Sequence, residues 1–204
     1  MPLLHHEKTN RKIFYIHIPR TAGRFLMENF KLHEYTMKNP ITNQPLKFKE
    51  KWKIVDGVQI HHAHYSIYSK WKNIKNIPSF TITRDPVDRF FSGSFRLKEN
   101  YGYDNFDNET DFNNVLSAVI KKDENNWFRP QNEFINSNTK IWQYENGFGK
   151  AFCEWISQIL SHPFITKEFK YDRHLYDKPE KKLKKTTSLI SYIKNFYKDD
   201  YQIK

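Results

Sequence analysis

Three stretches of this chain hold side chains whose types and spacing suit chemistry on an anion. The first, HIPRTAGRF at residues 17–25, follows the apolar run Ile13 to Ile16. Pro19 halts a strand there, and Gly23 lets the backbone turn closely round a ligand. A helix starting at that point aims its free N–H groups and positive dipole end back at the loop. Arg20 and Arg24 add charge, and Thr21 a hydroxyl. The G-x-x-x-x-G-K-[ST] spacing of a nucleotide-binding P-loop is missing, and the same residues also suit an ordinary strand-to-helix turn. The second stretch is FTITRDPVDRFFSGSF, residues 80–95. Its apolar strand ends in Arg84, after which Asp85 suits an N-cap and Pro86 the first helical position. Ser92, two turns on, is placed to meet the Arg84 guanidinium over one phosphate. Pairing of Arg84 with Asp85 or Asp88 is the plainer alternative.

The third stretch is HHAH, residues 61–64. An imidazole titrates near ~6.5, so His64 suits a general base at neutral pH. On a strand, His62 and His64 share a face, with His61 opposite; His62 would then orient His64 or touch a substrate. A zinc site built on these histidines lacks a carboxylate or cysteine motif to complete it. Packing or surface filler is the other reading.

The elements that must position these residues follow from periodicity. Strand-like runs occupy Lys12 to Ile18, Val58 to His64, Ser79 to Thr83 and Lys140 to Tyr144. Helical spacing marks Ala22, Leu26 and Phe30, and again Val87, Phe91 and Phe95. It recurs in Phe112, Val115, Leu116, Val119 and Ile120, in Phe152, Ile156, Ile159 and Leu160, and in Leu189, Ile190, Ile193 and Phe196. Strands alternating with helices predict an α/β sandwich with a mainly parallel sheet. Tyr35 to Trp52 reads as a loop excursion, and residues 171–185 as an exposed basic segment.

Composition bounds the rest. A chain of 204 residues, 38% hydrophobic and 17% aromatic, can fold as a single domain over its whole length. No apolar run is long enough to span a bilayer, and no apolar h-region follows a basic start. The one cysteine, Cys153, excludes an internal disulfide and reads as packing. The expected location is therefore cytoplasmic, and the sequon at Asn108 accidental. A formal net charge of +11 favours polyanionic partners, including nucleic acid, acidic lipid, a sulfated glycan or a phosphate-rich cofactor. No recognised nucleic-acid-binding module accompanies it.

Taken together, H-I-P-R-T-A-G and, about sixty residues later, R-D-P-x-x-R-x-x-S resemble the sulfotransferase family. The resemblance is greatest to the branch of heparan sulfate 2-O-sulfotransferases and small microbial relatives. It implies a P-loop NTPase-like, three-layer α/β/α fold. It also implies transfer of a sulfuryl group from 3′-phosphoadenosine 5′-phosphosulfate (PAPS) to a hydroxyl, with a carbohydrate the expected acceptor, 3′-phosphoadenosine 5′-phosphate (PAP) the product and no metal. Carried over residue by residue, Arg20, Thr21, Ala22, Gly23, Arg24 and Phe25 would hold the phosphosulfate, and Arg84 with Ser92 the 3′-phosphate. HHAHYSIY matches the family's H-x-H-[FY] element, making His64 the base, with His62 beside it. WFRPQ, with Arg129 and Gln131, resembles a W-x-P-Q element. KIWQYEN resembles a strand ending in Glu, and FYKDDYQI a terminal Y-x-x-D-Y. LKKTTS resembles the basic loop closing over the cofactor, which makes Lys185 and Thr186 phosphate contacts among Lys181, Lys182 and Lys184.

Departures from the family pattern concern the first loop. Arg20 replaces the commoner lysine, keeping charge but donating a proton poorly. Arg24 and Phe25 replace the usual hydroxyl residues. These changes leave a rival reading open, a catalytically weak phosphoadenosine-nucleotide binder. A P-loop kinase is disfavoured by the missing Walker lysine and magnesium signature.

Overall fold

The computed structural model describes residues 1–46, 53–167 and 183–203. Its strands are β1 (Leu3–His6), β2 (Arg11–Ile16), β3 (Tyr35–Lys38), β4 (Ile54–Val55), β5 (Val58–Gln59), β6 (Ser79–Thr83) and β7 (Lys140–Gln143). The helices are α1 (Gly23–Leu32), α2 (Tyr65–Tyr68), α3 (Pro86–Gly93), α4 (Phe95–Tyr101), α5 (Glu109–Lys122), α6 (Lys150–Leu160) and α7 (Thr187–Phe196). A five-stranded mixed sheet runs β3-β1-β2-β6-β7, and β4 and β5 form a separate hairpin.

The sheet is parallel where the site lies. β2 pairs with β6, placing Ile16 opposite Thr81, and β6 pairs with β7. β1 is antiparallel to both β2 and β3. The alternation along β2 feeds two cores, which is why it must be central. Ile13 and Tyr15 pack with Phe80, Ile82 and the apolar faces of α1 and α6, while Phe14 and Ile16 pack with Ile60, Ile67, Tyr68 and Trp71 on the other face. A third cluster joins α3, α5 and α7 round Phe112, Phe128 and Ile193.

Several expectations change. Tyr35–Lys38 is an edge strand rather than loop. The helical spacing through Phe95 is broken, because α3 ends at Gly93 and Phe95 opens α4. Most important for the chemistry, only Val58–Gln59 of the expected 58–64 strand is extended pairing. Ile60–His62 is a turn of 3-10 helix, and His64 stands at the N-cap of α2. The shared-face geometry predicted for His62 and His64 is thereby lost. Most of the basic segment 171–185, with Lys181 and Lys182, lies outside the described residues.

Candidate functional site

Adjacent C-terminal ends of β2 and β6 bring the first two motifs together. After β2 the chain turns through residues 17–22, with Arg20 at φ 71° and Ala22 at φ 70°. Both are left-handed conformations that side chains disfavour. Ala22 is the N-cap of α1 and offers no side-chain cap. Leu26 N–H donates to the Ala22 carbonyl, so the N–H groups of Gly23 and Phe25, ahead of it, lie outside the helical ladder and face the turn's mouth as donors. Gly23 is required by packing: a Cβ there would stand 1.9 Å from His17 Nε2.

Side chains of this loop divide into scaffold and surface. Thr21 is fully buried, and its hydroxyl donates to the Ile18 carbonyl at 2.8 Å. It holds the turn, in place of the ligand contact expected of it. Phe25 packs on Phe148, ring to ring at 5.0 Å; only its backbone faces the loop's task. Arg24 is exposed. Arg20 Nε donates to Ser92 Oγ at 3.0 Å, and its guanidinium lies 5.2 Å from the Trp127 ring centre and 5.7 Å from that of Phe95. The arrangement corrects the expected pairing, since Ser92 meets Arg20 and not Arg84.

The second turn follows the cap rules. Asp85 accepts from the Asp88 N–H at 2.9 Å, with Pro86 in the first turn. Neither Asp85 nor Asp88 takes the Arg84 guanidinium. Arg84 Nη1 reaches the Arg20 carbonyl at 3.4 Å, and its cationic carbon sits 4.5 Å over the Tyr144 ring. Arg84 Nε is buried without a hydrogen-bond partner among the described residues, a donor whose desolvation nothing yet offsets.

The W-F-R-P-Q segment braces all of this. Gln131 clasps the Arg84 backbone on both sides, accepting from its N–H at 3.0 Å and donating to its carbonyl at 2.8 Å. Asp200, from the terminal Y-x-x-D-Y stretch, accepts from the N–H groups of Gln131 and Asn132 at 2.9 and 3.0 Å. Tyr197 donates to the Phe128 carbonyl at 2.6 Å. Buried Arg89 donates to the carbonyls of Trp127 and Arg129, so the second arginine of the R-D-P-x-x-R motif is a strut. Trp127 lies under Arg20, as above. Arg129 and Gln131 thus pin a loop instead of standing free for an acceptor; Arg129 is held by Asn126 and Glu133.

The histidines separate. His64 is half-buried, its Nδ1 3.0 Å from Ser66 Oγ. Burial and the nearby Arg129 charge hold its pKa below the ordinary imidazole value, so the ring is neutral at neutral pH. His62 is buried, and desolvation drives its pKa down to about 3; it neighbours His17 and His61 with ring centres 5.0 and 4.8 Å away. Its ring contacts are with these two histidines, on the side of the β2 turn, rather than with His64. Lys185 and Thr186 are exposed. Lys185 reaches Asp88, one helical turn before Ser92, at 3.5 Å and lies over the ring of Phe91, the residue next to Ser92. Thr186 caps α7 by accepting from the Leu189 N–H. Cys153 is half-buried on α6, with Thr166 its neighbour.

A hollow of about 170 Å³ lined by Arg11, Ile13, Tyr35 and Pro78 lies at the opposite ends of β2 and β6, away from these arginines. Among the described residues no helix is long and apolar enough to cross a membrane. Comparison of the chain with protein-family models, curated proteins and solved structures finds no match in any of the three.

Proposed function

We propose that this chain is a sulfotransferase that takes a sulfuryl group from PAPS and passes it to an acceptor hydroxyl, with a carbohydrate as the acceptor class. The supporting observation is the convergence of two arginine-bearing turns at neighbouring strand ends, with the N-terminus of α1 between them. The donor set is cationic and amide-rich, and the orphaned Arg84 Nε invites an anionic oxygen. Such a set fits a nucleotide carrying phosphates at both ends of its ribose.

Bound there, PAPS would supply an activated sulfuryl group on a phosphate leaving group. The N–H groups of Gly23 and Phe25, with Arg20, would hold the 5′-phosphosulfate and meet the charge growing on the leaving phosphate. Arg84 would hold the 3′-phosphate, with Lys185 at the rim. His64, neutral at working pH, would take the acceptor's hydroxyl proton as the oxygen attacks sulfur. Gln131 and Asp200 would keep Arg84 in place.

A second reading, a PAP-binding protein without turnover, has one observation in its favour: Arg20 is already engaged by Ser92 and the aromatic pair. Calorimetric titration with PAP, adenosine 5′-phosphate and adenosine triphosphate, followed by transfer of labelled sulfate to a panel of glycans and phenols, separates the readings. Preference for PAP with transfer supports the enzyme. Preference for PAP without transfer supports the binder, and equal binding of PAP and adenosine 5′-phosphate rejects both. In the enzyme, His64→Ala should lower turnover by roughly 10²–10⁴ while leaving PAP affinity nearly intact. The acid limb of the wild-type pH profile should lie below the ordinary imidazole value, following the lowered pKa, and should vanish in the mutant.

A further inference from the structure

His17, which follows β2 and packs on Gly23, meets His61 and His62 from the turn after β5. One ring nitrogen from each of the three lies within 4.8 Å of the other two. His17 Nδ1 and His61 Nε2 are 2.8 Å apart, and the ring centres of these two lie 4.4 Å apart. His17 and His62 are buried and His61 half-buried. His62 Nδ1 is buried without a partner, while the backbone of Asn125 is its ring's hydrogen-bond partner. A carbonyl on one imidazole nitrogen fixes the proton there and leaves a lone pair on the other. That is the arrangement in which metal-binding histidines are held.

We infer that His17, His61 and His62 form a binding site for one zinc-class divalent transition-metal ion. Three neutral imidazoles without thiolate suit zinc, cobalt, nickel or copper over calcium or magnesium. Metal–nitrogen bonds of about 2.0–2.1 Å at tetrahedral angles separate ligand nitrogens by about 3.3 Å. His17 and His61 then need to part by roughly half an ångström, with the proton between them moving to the far nitrogen of the ring that carried it. The group includes no carboxylate, and the Met1 ammonium acts electrostatically on His62. The ion keeps its full charge, so its fourth position favours hydroxide or another anion.

The site differs from the trio that sequence spacing offered: His64 is absent and His17, far off in sequence, takes its place. Because His17 Nε2 faces Gly23, an ion held at Nδ1 would also fix the flank of the anion loop. Metal binding itself does not depend on the nucleotide, so its test stands apart from the sulfotransferase reading.

The test is titration of the chelator-treated full-length chain with Co²⁺ and then Zn²⁺, read by visible absorption, calorimetry and thermal unfolding. One equivalent of Co²⁺ should give tetrahedral ligand-field bands, Zn²⁺ should displace it, and either ion should raise the unfolding midpoint. His61→Ala, at the half-buried member, should weaken affinity about 100-fold or more and abolish the bands, with folding checked by circular dichroism. His62→Gln should do the same, and His64→Ala should bind as the wild type does. Absence of a stoichiometric tetrahedral signal overturns the inference, as does unchanged affinity in a folded His61→Ala variant. Binding abolished by His64→Ala alone would also overturn it, because the ion would then sit elsewhere.

Discussion

Parallel neighbours β2 and β6 each end in an arginine-bearing turn that opens a helix, and the two turns handle their backbone groups in opposite ways. After β6, Asp85 satisfies the Asp88 N–H with its own carboxylate, so α3 begins with its donors partly consumed. After β2, Ala22 offers no side-chain cap, Arg20 and Ala22 sit at positive φ, and the N–H groups of Gly23 and Phe25 take no side-chain cap from the turn. Backbone strain of this kind persists only where surrounding contacts over-determine it. Here Thr21 ties the turn to Ile18 and His17 fills the space above Gly23. The first turn therefore offers a ligand its backbone, while the second offers only the Arg84 side chain, presented on a backbone clasped by Gln131.

The largest effect expected from this contrast is at Gly23. A methyl group 1.9 Å from His17 Nε2 must push the imidazole or the loop aside. Gly23→Ala should cost about 3 kcal/mol of stability and remove PAP binding, measured by denaturant unfolding and calorimetry. Adding His17→Ala opens the space, so the double variant should recover part of both losses. If Gly23→Ala binds PAP normally, the first turn is not the ligand's cradle. Next comes Arg84→Ala, which should erase about 1.5–3 kcal/mol of the preference for PAP over adenosine 5′-phosphate, the worth of hydrogen bonds to a charged group. Its folding should hardly change, because Gln131 grips the main chain rather than the guanidinium. A uniform loss for both nucleotides would move Arg84 from the 3′-phosphate to the 5′ end.

These unlike turns were unequally legible in the sequence. Asp85 and Pro86 follow local capping rules, so α3's start could be read from four residues. The long helices were legible for the same reason, since their apolar spacing is local. What the first turn needs, an imidazole packed against a glycine and two residues in the left-handed region, depends on contacts that sequence alone does not pair. The same limit explains Ser92, whose partner is Arg20 across 72 positions, and the histidines, whose grouping depends on a 3-10 turn no periodicity announced. β1, an inner strand, and β3, an edge strand, were missed because Leu3–His6 and Tyr35–Lys38 are each too short to show a clear alternation. The W-F-R-P-Q and Y-x-x-D-Y stretches were visible as patterns, but their joint task of bracing Arg84 is a tertiary fact.

A smaller effect tests the second turn alone. Asp85→Ala removes a side-chain cap and should cost about 1 kcal/mol of stability, seen as a lowered unfolding midpoint with the PAP preference retained. Loss of that preference would show that the cap, and not only Gln131, aims Arg84.

The smallest expected change is Ala22→Gly, and its sign is the informative part. At φ 70° an alanine holds its Cβ too close to the following carbonyl, costing roughly 1–2 kcal/mol. Glycine removes that penalty but makes the unfolded chain freer, which costs about 0.5–1 kcal/mol. The balance predicts a gain of up to about 1.5 kcal/mol, measurable as a raised midpoint in denaturant unfolding. Affinity for PAP should move the other way or stay level, because the glycine lets the turn leave its binding shape when empty. If the variant is less stable instead, the left-handed turn is not strained in the protein. The two turns would then differ only in their side chains, and the presentation of the Gly23 and Phe25 N–H groups would owe nothing to Ala22.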